Sequence, residues 1–108
     1  MKRLMVQYKV RPEEAAANVQ AIEAVFAQLW ERGLPGLRYA SFRLDDGVSF
    51  VHIFSGETDN EREALRALPA FKAFSAAVRE RCEEQPIVTS LNEVGSYRMF
   101  GEEEAMTG

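Results

Sequence analysis

The sequence has very little of the residue types that build metal sites and disulfides. Among its 108 residues there is one cysteine, Cys82, and one histidine, His52. A single cysteine excludes a disulfide within the chain, and this pair does not form the repeated spacing of a zinc site. We therefore expect neither a metal ion nor another cofactor. Cys82 lies on the apolar stripe of a predicted helix and is interpreted as a buried structural thiol.

The chain also lacks an excess of basic residues and any long apolar run. It carries 13 lysines and arginines against 17 aspartates and glutamates, a formal net charge of -4. This balance argues against nucleic acid or an anionic membrane as a partner, because both require a basic face. No stretch approaches the roughly 18 apolar residues of a spanning helix. Gln7 and Lys9 interrupt the first apolar residues too early for a signal-peptide core, so we expect a cytoplasmic protein.

Motifs of nucleotide-dependent and hydrolytic enzymes are missing as well. The sequence contains no phosphate-binding loop, dinucleotide fingerprint, nucleophile elbow or zinc pattern. A nucleotide-dependent enzyme is therefore not expected.

The most informative segment that is present runs over residues 48–54 and is apolar on both faces of a predicted strand. Alternate side chains of a strand point to opposite sides of its sheet. One row holds Phe50, His52 and Phe54, and the other holds Val51 and Ile53. If helices bury one row, another surface must cover the second, which indicates self-association.

The first half of the chain alternates between strand and helix patterns. A strand over residues 5–10 is followed by Pro12, which suits the first turn of a helix. Apolar residues then recur at steps of three and four until Gly33 ends the helix. A second strand over 38–44 leads into a tight turn at 45–47. The turn leaves the register open, with either Ser41 or Ala40 opposite His52.

The second half predicts a helix in two pieces and a last strand. Asn60 and Glu63 match a capping box, and Pro69 interrupts the helix that follows. The main helix has an apolar stripe that runs to Cys82, and Gln85-Pro86 ends it. We expect a last extended segment over 87–100, with Gly95 at a bulge or bend.

The order strand, helix, strand, strand, helix, strand predicts an α+β, ferredoxin-like βαββαβ domain. Its four-stranded antiparallel sheet would carry two main helices on one face. We expect one domain over residues 1–100 and a solvated, disordered acidic tail over 101–108. The pattern leaves open which row of the strand 48–54 faces the helices.

Four segments resemble the dimeric α/β-barrel superfamily, which includes the antibiotic-biosynthesis monooxygenase-like proteins. They are the strand end at 8–12, the segment 36–42, the hairpin 44–52 and the helix start at 68–74. The resemblance implies a homodimeric α/β barrel in which two ferredoxin-like subunits pack sheet against sheet. It also implies a pocket between each sheet and its helices, for a small apolar or aromatic molecule. Cofactor-free oxidation of that molecule is one activity of the superfamily.

Haem-degrading members of the superfamily provide a contrast. They use a histidine on the second helix and an asparagine on the first strand. Residues 64–84 contain no histidine, and the first strand offers Gln7 at best. The resemblance therefore does not extend to haem oxygenation.

The candidate ligand-binding residues are Tyr8, Trp30, Tyr39 and His52. His52 is also the candidate catalytic residue, as a general base or a ligand-positioning group. It could equally be an interior histidine bonded to Ser41, and Trp30 could simply cover the edge of the core. The alternative to an enzyme is a non-catalytic dimer that serves as a binding or structural module.

Overall fold

The computed structural model describes residues 1–99, which form a four-stranded antiparallel sheet and three α-helices. The strands are adjacent in the order β2-β3-β1-β4, which is the order of a ferredoxin-like domain. The predicted fold class is therefore confirmed, with the second helix in two pieces. The proposed tail lies outside the described residues. The elements are β1 Lys2–Val10, α1 Ala15–Arg32, β2 Leu37–Arg43, β3 Ser49–Gly56, α2 Asp59–Ala67, α3 Pro69–Arg81 and β4 Cys82–Ser90.

The first helix begins and ends where the sequence pattern places it. Pro12 opens a short 3-10 turn that continues into α1. Gly33 ends α1 in the left-handed conformation, with φ at 61°, and its N–H bonds to the carbonyl of Leu29. Glycine adopts this conformation without the steric cost that a Cβ brings. None of the helices in the described part of the chain is long and apolar enough to cross a membrane.

The capping box of α2 lies two residues earlier than the sequence analysis expected. Thr58 is the N-cap, and its side chain and that of Glu61 bond reciprocally to backbone N–H groups. The expected pair, Asn60 and Glu63, fits the same spacing but lies inside the helix. The earlier start also places an acidic side chain in the first turn, where the helix dipole favours it. Leu68, next to proline, is driven into an extended conformation that separates α2 from α3.

The boundary between α3 and β4 differs from the prediction. Cys82 begins β4, opposite Val10 of β1, and is half-buried there. Its spacing from Val78 fits a helical stripe, so periodicity alone could not separate the two elements. Pro86 does not end β4, because it lies where the register with β1 shifts and a ladder N–H is not required.

The last strand is also shorter than expected at its end. It ends at Ser90, and residues 91–99 are outside regular structure. Gly95 is therefore not a bulge within a strand. Phe100, the expected last residue of the extended segment, lies outside the described residues.

The structure settles which row of β3 faces the helices. Phe50, His52 and Phe54 are 2%, 3% and 6% exposed and belong to the core. Val51 and Ile53 lie on the opposite face. Ser41 pairs with His52, which confirms one of the two registers that the sequence left open. We call the side of the sheet that carries Val51 and Ile53 the outer face. Its apolar side chains are Met5, Ala40, Phe42, Val51, Ile53 and Ile87.

The end of α1 offers a test of the fold. We expect Gly33→Ala to lower the free energy of unfolding by about 1 kcal/mol or somewhat more, because alanine resists positive φ. No atom would contact the added methyl group, so the cost comes from the backbone alone. Gly95→Ala is the control, since its site is equally open and its φ is not positive. Equal urea unfolding midpoints for the two variants would contradict this assignment of the helix end.

Candidate functional site

The inner face of the sheet and the helices enclose a cavity of about 330 Å³. Strands β1, β2, β3 and β4 line one side, and α2 and α3 line the other. The cavity is walled chiefly by apolar and aromatic side chains, with hydroxyl groups and an imidazole on the sheet side. Its lining consists of Leu4, Val6, Tyr8, Tyr39, His52, Phe54, Arg62, Arg66, Phe71, Phe74, Ser75, Val78, Arg79, Pro86 and Val88.

His52 is the centre of the hydrogen-bonded groups at this cavity. Its Nε2 lies 2.8 Å from the Tyr8 hydroxyl. Its Nδ1 lies 2.7 Å from the Ser41 hydroxyl and 2.9 Å from the Tyr39 hydroxyl. Both ring nitrogens of a 3% exposed histidine therefore have partners, as burial of a polar group requires.

A second layer of polar residues supports Tyr8 from behind. Asn18, which is fully buried on α1, donates from Nδ2 to the Tyr8 hydroxyl at 2.8 Å. Arg81 at the end of α3 donates from Nε to Asn18 Oδ1 at 3.3 Å. An arginine only donates, so it fixes the amide oxygen of Asn18 toward itself and the amide nitrogen toward Tyr8.

This arrangement sets a direction for the hydrogen bonds. Because the Tyr8 oxygen accepts from Asn18, we assign its own proton to the hydrogen bond with His52 Nε2, the other partner of this hydroxyl. A neutral imidazole that accepts at Nε2 carries its proton on Nδ1. That proton then points to the hydroxyls of Ser41 and Tyr39, and the chain of donors runs from Arg81 to β2.

Aromatic stacking holds the same groups in place. The ring of Tyr8 stacks on His52 and on Phe50, with centroids 5.4 and 5.6 Å apart. Tyr39 stacks on the other side of His52 at 5.9 Å, and Phe74 of α3 is tilted against it at 5.5 Å. These separations lie within the range of favourable aromatic pairs.

Burial keeps the three titratable groups on the sheet side of the cavity neutral. It lowers the pKa of His52 to about 4 and raises the pKa of Tyr39 to about 12. Burial also raises the pKa of Tyr8, against the opposing effect of its hydrogen bond from Asn18. At neutral pH the sheet side of the cavity is therefore polar without charge.

The structure brings together three of the four candidate residues from the sequence. Tyr8, Tyr39 and His52 line one cavity, and their ligand-binding role stays a prediction. Trp30 is 86% exposed and lies at a separate surface groove of about 610 Å³, on the far side of Tyr39. Gln7 lies on the outer face, opposite Val51 and away from the cavity.

Sequence reasoning missed Asn18 and the arginines of the cavity. A signal for Asn18 existed, since it lies three residues after Ala15 on the buried side of α1, where it is the one amide among the fully buried residues. Arg62, Arg66 and Arg79 carried no comparable signal, because charged residues on helices usually face solvent. Within residues 1–99 no group of three or more histidine, cysteine or carboxylate side chains is placed to hold a metal ion.

Solved structures with the same fold include proteins named as monooxygenases. One described as an antibiotic biosynthesis monooxygenase aligns with a TM-score of 0.73 and 15% identity, over 88% of this chain and 100% of the other. Rv0793 from Mycobacterium tuberculosis aligns with a TM-score of 0.73 and 20% identity, over 88% of this chain and 96% of its own. PA3566 from Pseudomonas aeruginosa aligns with a TM-score of 0.70 and 20% identity, over 87% of this chain and 94% of its own. Protein-family models and curated proteins gave no match. These alignments confirm the ferredoxin-like fold of the single subunit, and the homodimeric barrel stays a prediction.

The hydrogen-bond direction and the burial of His52 can be tested by NMR, because the chain has a single histidine. We expect the imidazole to be neutral at pH 7 with its proton on Nδ1, and to titrate well below 6.5, near 4. The pKa of His52 is lower in the folded chain than in the unfolded chain, because burial disfavours the charged imidazolium. The contribution of His52 to stability is therefore complete above about pH 6.5 and is lost as the pH falls toward 4.

The measurement is a long-range ¹H–¹⁵N correlation spectrum recorded through a pH titration. Tyr8→Phe should remove the donor to Nε2 and change the ring nitrogen shifts, whereas Tyr97→Phe, at an exposed site, should leave them unchanged. A proton on His52 Nε2 at pH 7 would show that His52 donates to Tyr8, which contradicts the assigned direction of this hydrogen bond. Titration near 6.5 would show that His52 is open to water.

Proposed function

We propose that this protein binds a small aromatic molecule in the cavity between its sheet and helices and oxidises it without a metal or flavin. The observation that carries the proposal is the cavity itself, whose aromatic walls end at a neutral His52 hydrogen-bonded to two tyrosine hydroxyls. Apolar walls with a few convergent polar groups are typical of small-molecule sites. The name of one structural neighbour, an antibiotic biosynthesis monooxygenase, supports an oxidation by O₂.

The size of the cavity supports an aromatic ligand of one or two rings. A dry engineered cavity of roughly 150 Å³ holds benzene. The cavity here has about 330 Å³, more than twice that volume. Phe71 and Phe74 of α3 line the cavity together with Tyr8 and Tyr39 of the sheet, so a planar molecule there would meet aromatic rings of both layers.

The hydrogen-bond direction assigns a proton route. A phenolic ligand hydroxyl that donates to Tyr8 lets Tyr8 pass its own proton to His52 Nε2. An isolated imidazolium is unfavourable at this buried position, but the ligand phenolate formed at the same time offsets its charge. His52 thereby acts as the general base through Tyr8, and Asn18 keeps the Tyr8 oxygen oriented.

The oxidation balances without a further reductant. A naphthol and one O₂ give a naphthoquinone and one water. One oxygen atom forms a bond to the ring carbon opposite the phenolate, and the O–O bond breaks. The second oxygen leaves as water with the phenolic proton and the hydrogen of that ring carbon. The ligand supplies all the electrons, so no cofactor enters the balance.

A second candidate function is ligand binding without catalysis. Both ring nitrogens of His52 already have protein partners, which also suits a purely structural histidine. The cavity would then serve as a binding site, and O₂ consumption distinguishes the two functions.

We also propose a homodimer that forms through the outer faces of two sheets. Phe42 is 50% exposed and lies beside Val51 and Ile53 on that face. Covering large apolar side chains contributes roughly 1.5–3 kcal/mol for each one that is fully buried. The resemblance to dimeric α/β barrels supports the same arrangement.

Oxygen consumption with a panel of dihydroxynaphthalenes tests the catalytic proposal. We expect uptake of one O₂ for each quinone formed. Tyr8→Phe should lower turnover by at least about tenfold, since general acid–base catalysis typically contributes roughly 100-fold or more. The substitution keeps the stacked ring and removes only the hydroxyl. Quinone absorbance and an oxygen electrode give the two measurements.

Tyr97→Phe is the matched control, because Tyr97 is 77% exposed and outside the cavity. It should leave turnover unchanged. Binding of the same compounds without oxygen uptake would favour the binding module. Full activity of Tyr8→Phe would overturn the proton route.

The dimer is tested by sedimentation at micromolar concentration. We expect the unaltered protein to sediment as a dimer and Ile53→Glu to sediment as a monomer, because a buried unpaired carboxylate at the seam is costly. Gln20→Glu makes a similar charge change on the exposed side of α1 and should remain dimeric. A monomer for the unaltered protein would contradict the proposal.

A further inference from the structure

The cavity carries positive charge at its open side although the protein is acidic. Arg62 and Arg66 of α2 and Arg79 of α3 line it, and no aspartate or glutamate is among its lining residues. Arg66 and Arg79 are exposed and Arg62 is half-buried, so the three mark the mouth rather than the floor. The charged side chains that line this opening are therefore all positive, although the whole chain has a net charge of -4.

These arginines have few partners within the described residues. Arg66 lies 4.0 Å from Glu63, the outer limit of an ion pair. Arg79 bonds at 3.5 Å to the neutral side chain of Gln85. Arg62 makes no ion pair or side-chain hydrogen bond with any residue between 1 and 99. Most of the donor capacity at the mouth is thus available to a ligand.

The spacing of Arg62 and Arg66 adds to this argument. Residues four apart lie on the same side of a helix, and like charges at that spacing destabilise it slightly. Of the acidic side chains of α2, only that of Glu63 lies within 4.0 Å of either arginine, and it reaches Arg66 at that limit. An anion bound between the two guanidinium groups and Arg79 would offset this repulsion.

We infer that the ligand of this cavity is an aromatic carboxylate, held at the mouth by Arg62, Arg66 and Arg79. Arginine binds planar carboxylates with two parallel hydrogen bonds, which suits a group at the end of a flat ring system. The ring would lie between the aromatic walls, and a hydroxyl at its other end would reach Tyr8. This inference rests on the proposed function and names its ligand class.

Two naphthols that differ in one group test the inference by calorimetric titration. The probes are 6-hydroxy-2-naphthoate and 2-naphthol, which share a ring system and a hydroxyl. We expect the carboxylate to bind roughly tenfold or more tighter, as hydrogen bonds to charged groups imply. The preference should shrink as salt is raised, because the arginines lie near the surface.

The double variant Arg62→Gln/Arg79→Gln should bind the two probes within about twofold of each other, with 2-naphthol affinity unchanged. Arg32→Gln removes a positive charge at the end of α1, outside the cavity lining, and should keep the full preference. Circular dichroism checks that each variant is folded.

The outcomes separate the inference from the function on which it rests. Equal affinities of the unaltered protein for the two probes would contradict the preference for a carboxylate. The proposed binding site for aromatic molecules would still stand. A preference that survives in the double variant would place the anion elsewhere and overturn the role of the arginines. Binding of neither probe would overturn the aromatic site itself, and the inference with it.

Discussion

The burial of His52 in the middle of the sheet is the constraint on which the rest of this structure depends. An imidazole buried at 3% exposure must satisfy both ring nitrogens within the protein. β1 supplies Tyr8 on one side, and β2 supplies Ser41 and Tyr39 on the other. A shift of β2 by one residue would put Ala40 opposite His52 and turn both hydroxyls to the outer face. An unsatisfied buried group costs about 1–3 kcal/mol, so the histidine helps to define the register.

The same bonds link the helices to the sheet. Asn18 of α1 reaches Tyr8, and Arg81 at the end of α3 reaches Asn18. A buried amide such as Asn18 has a defined position only where donors and acceptors meet it from both sides. The polar chain therefore fixes how α1 and α3 pack on the sheet, while apolar contacts around it provide most of the burial. Among the described residues Arg81 Nη2 is buried without a partner, so the chain is satisfied at Asn18 and Tyr8 but not fully at its arginine end.

Local pattern was enough to predict the order of the elements and the presence of His52 in a two-sided apolar strand. It could not choose the buried row, since Phe50 and Val51 are equally apolar and only the partner elements decide between them. It misplaced Cys82, because a step of four from Val78 continues a helix as well as it begins a strand at that position. Tyr8 and Tyr39 were candidates from the sequence. The spacing of Asn18 along α1 indicates that it is buried, but its bond to Tyr8 and the position of the arginines at the cavity depend on packing between helices and sheet, which spacing does not reveal.

The two ends of the cavity differ in a way that sets the orientation of a ligand. The floor offers hydrogen bonds without charge, because burial keeps His52 neutral at pH 7. The mouth offers the positive charge of the arginines. If His52 were charged, an anion could lie at either end and one molecule could bind in two directions. With a neutral floor, the acidic group of the proposed ligand would gain most at the mouth, and its phenol at the opposite end would meet Tyr8. Burial of His52 thus does more than fix the sheet register, since under the proposed function it leaves one end of the cavity for the charge of the ligand and the other for proton transfer.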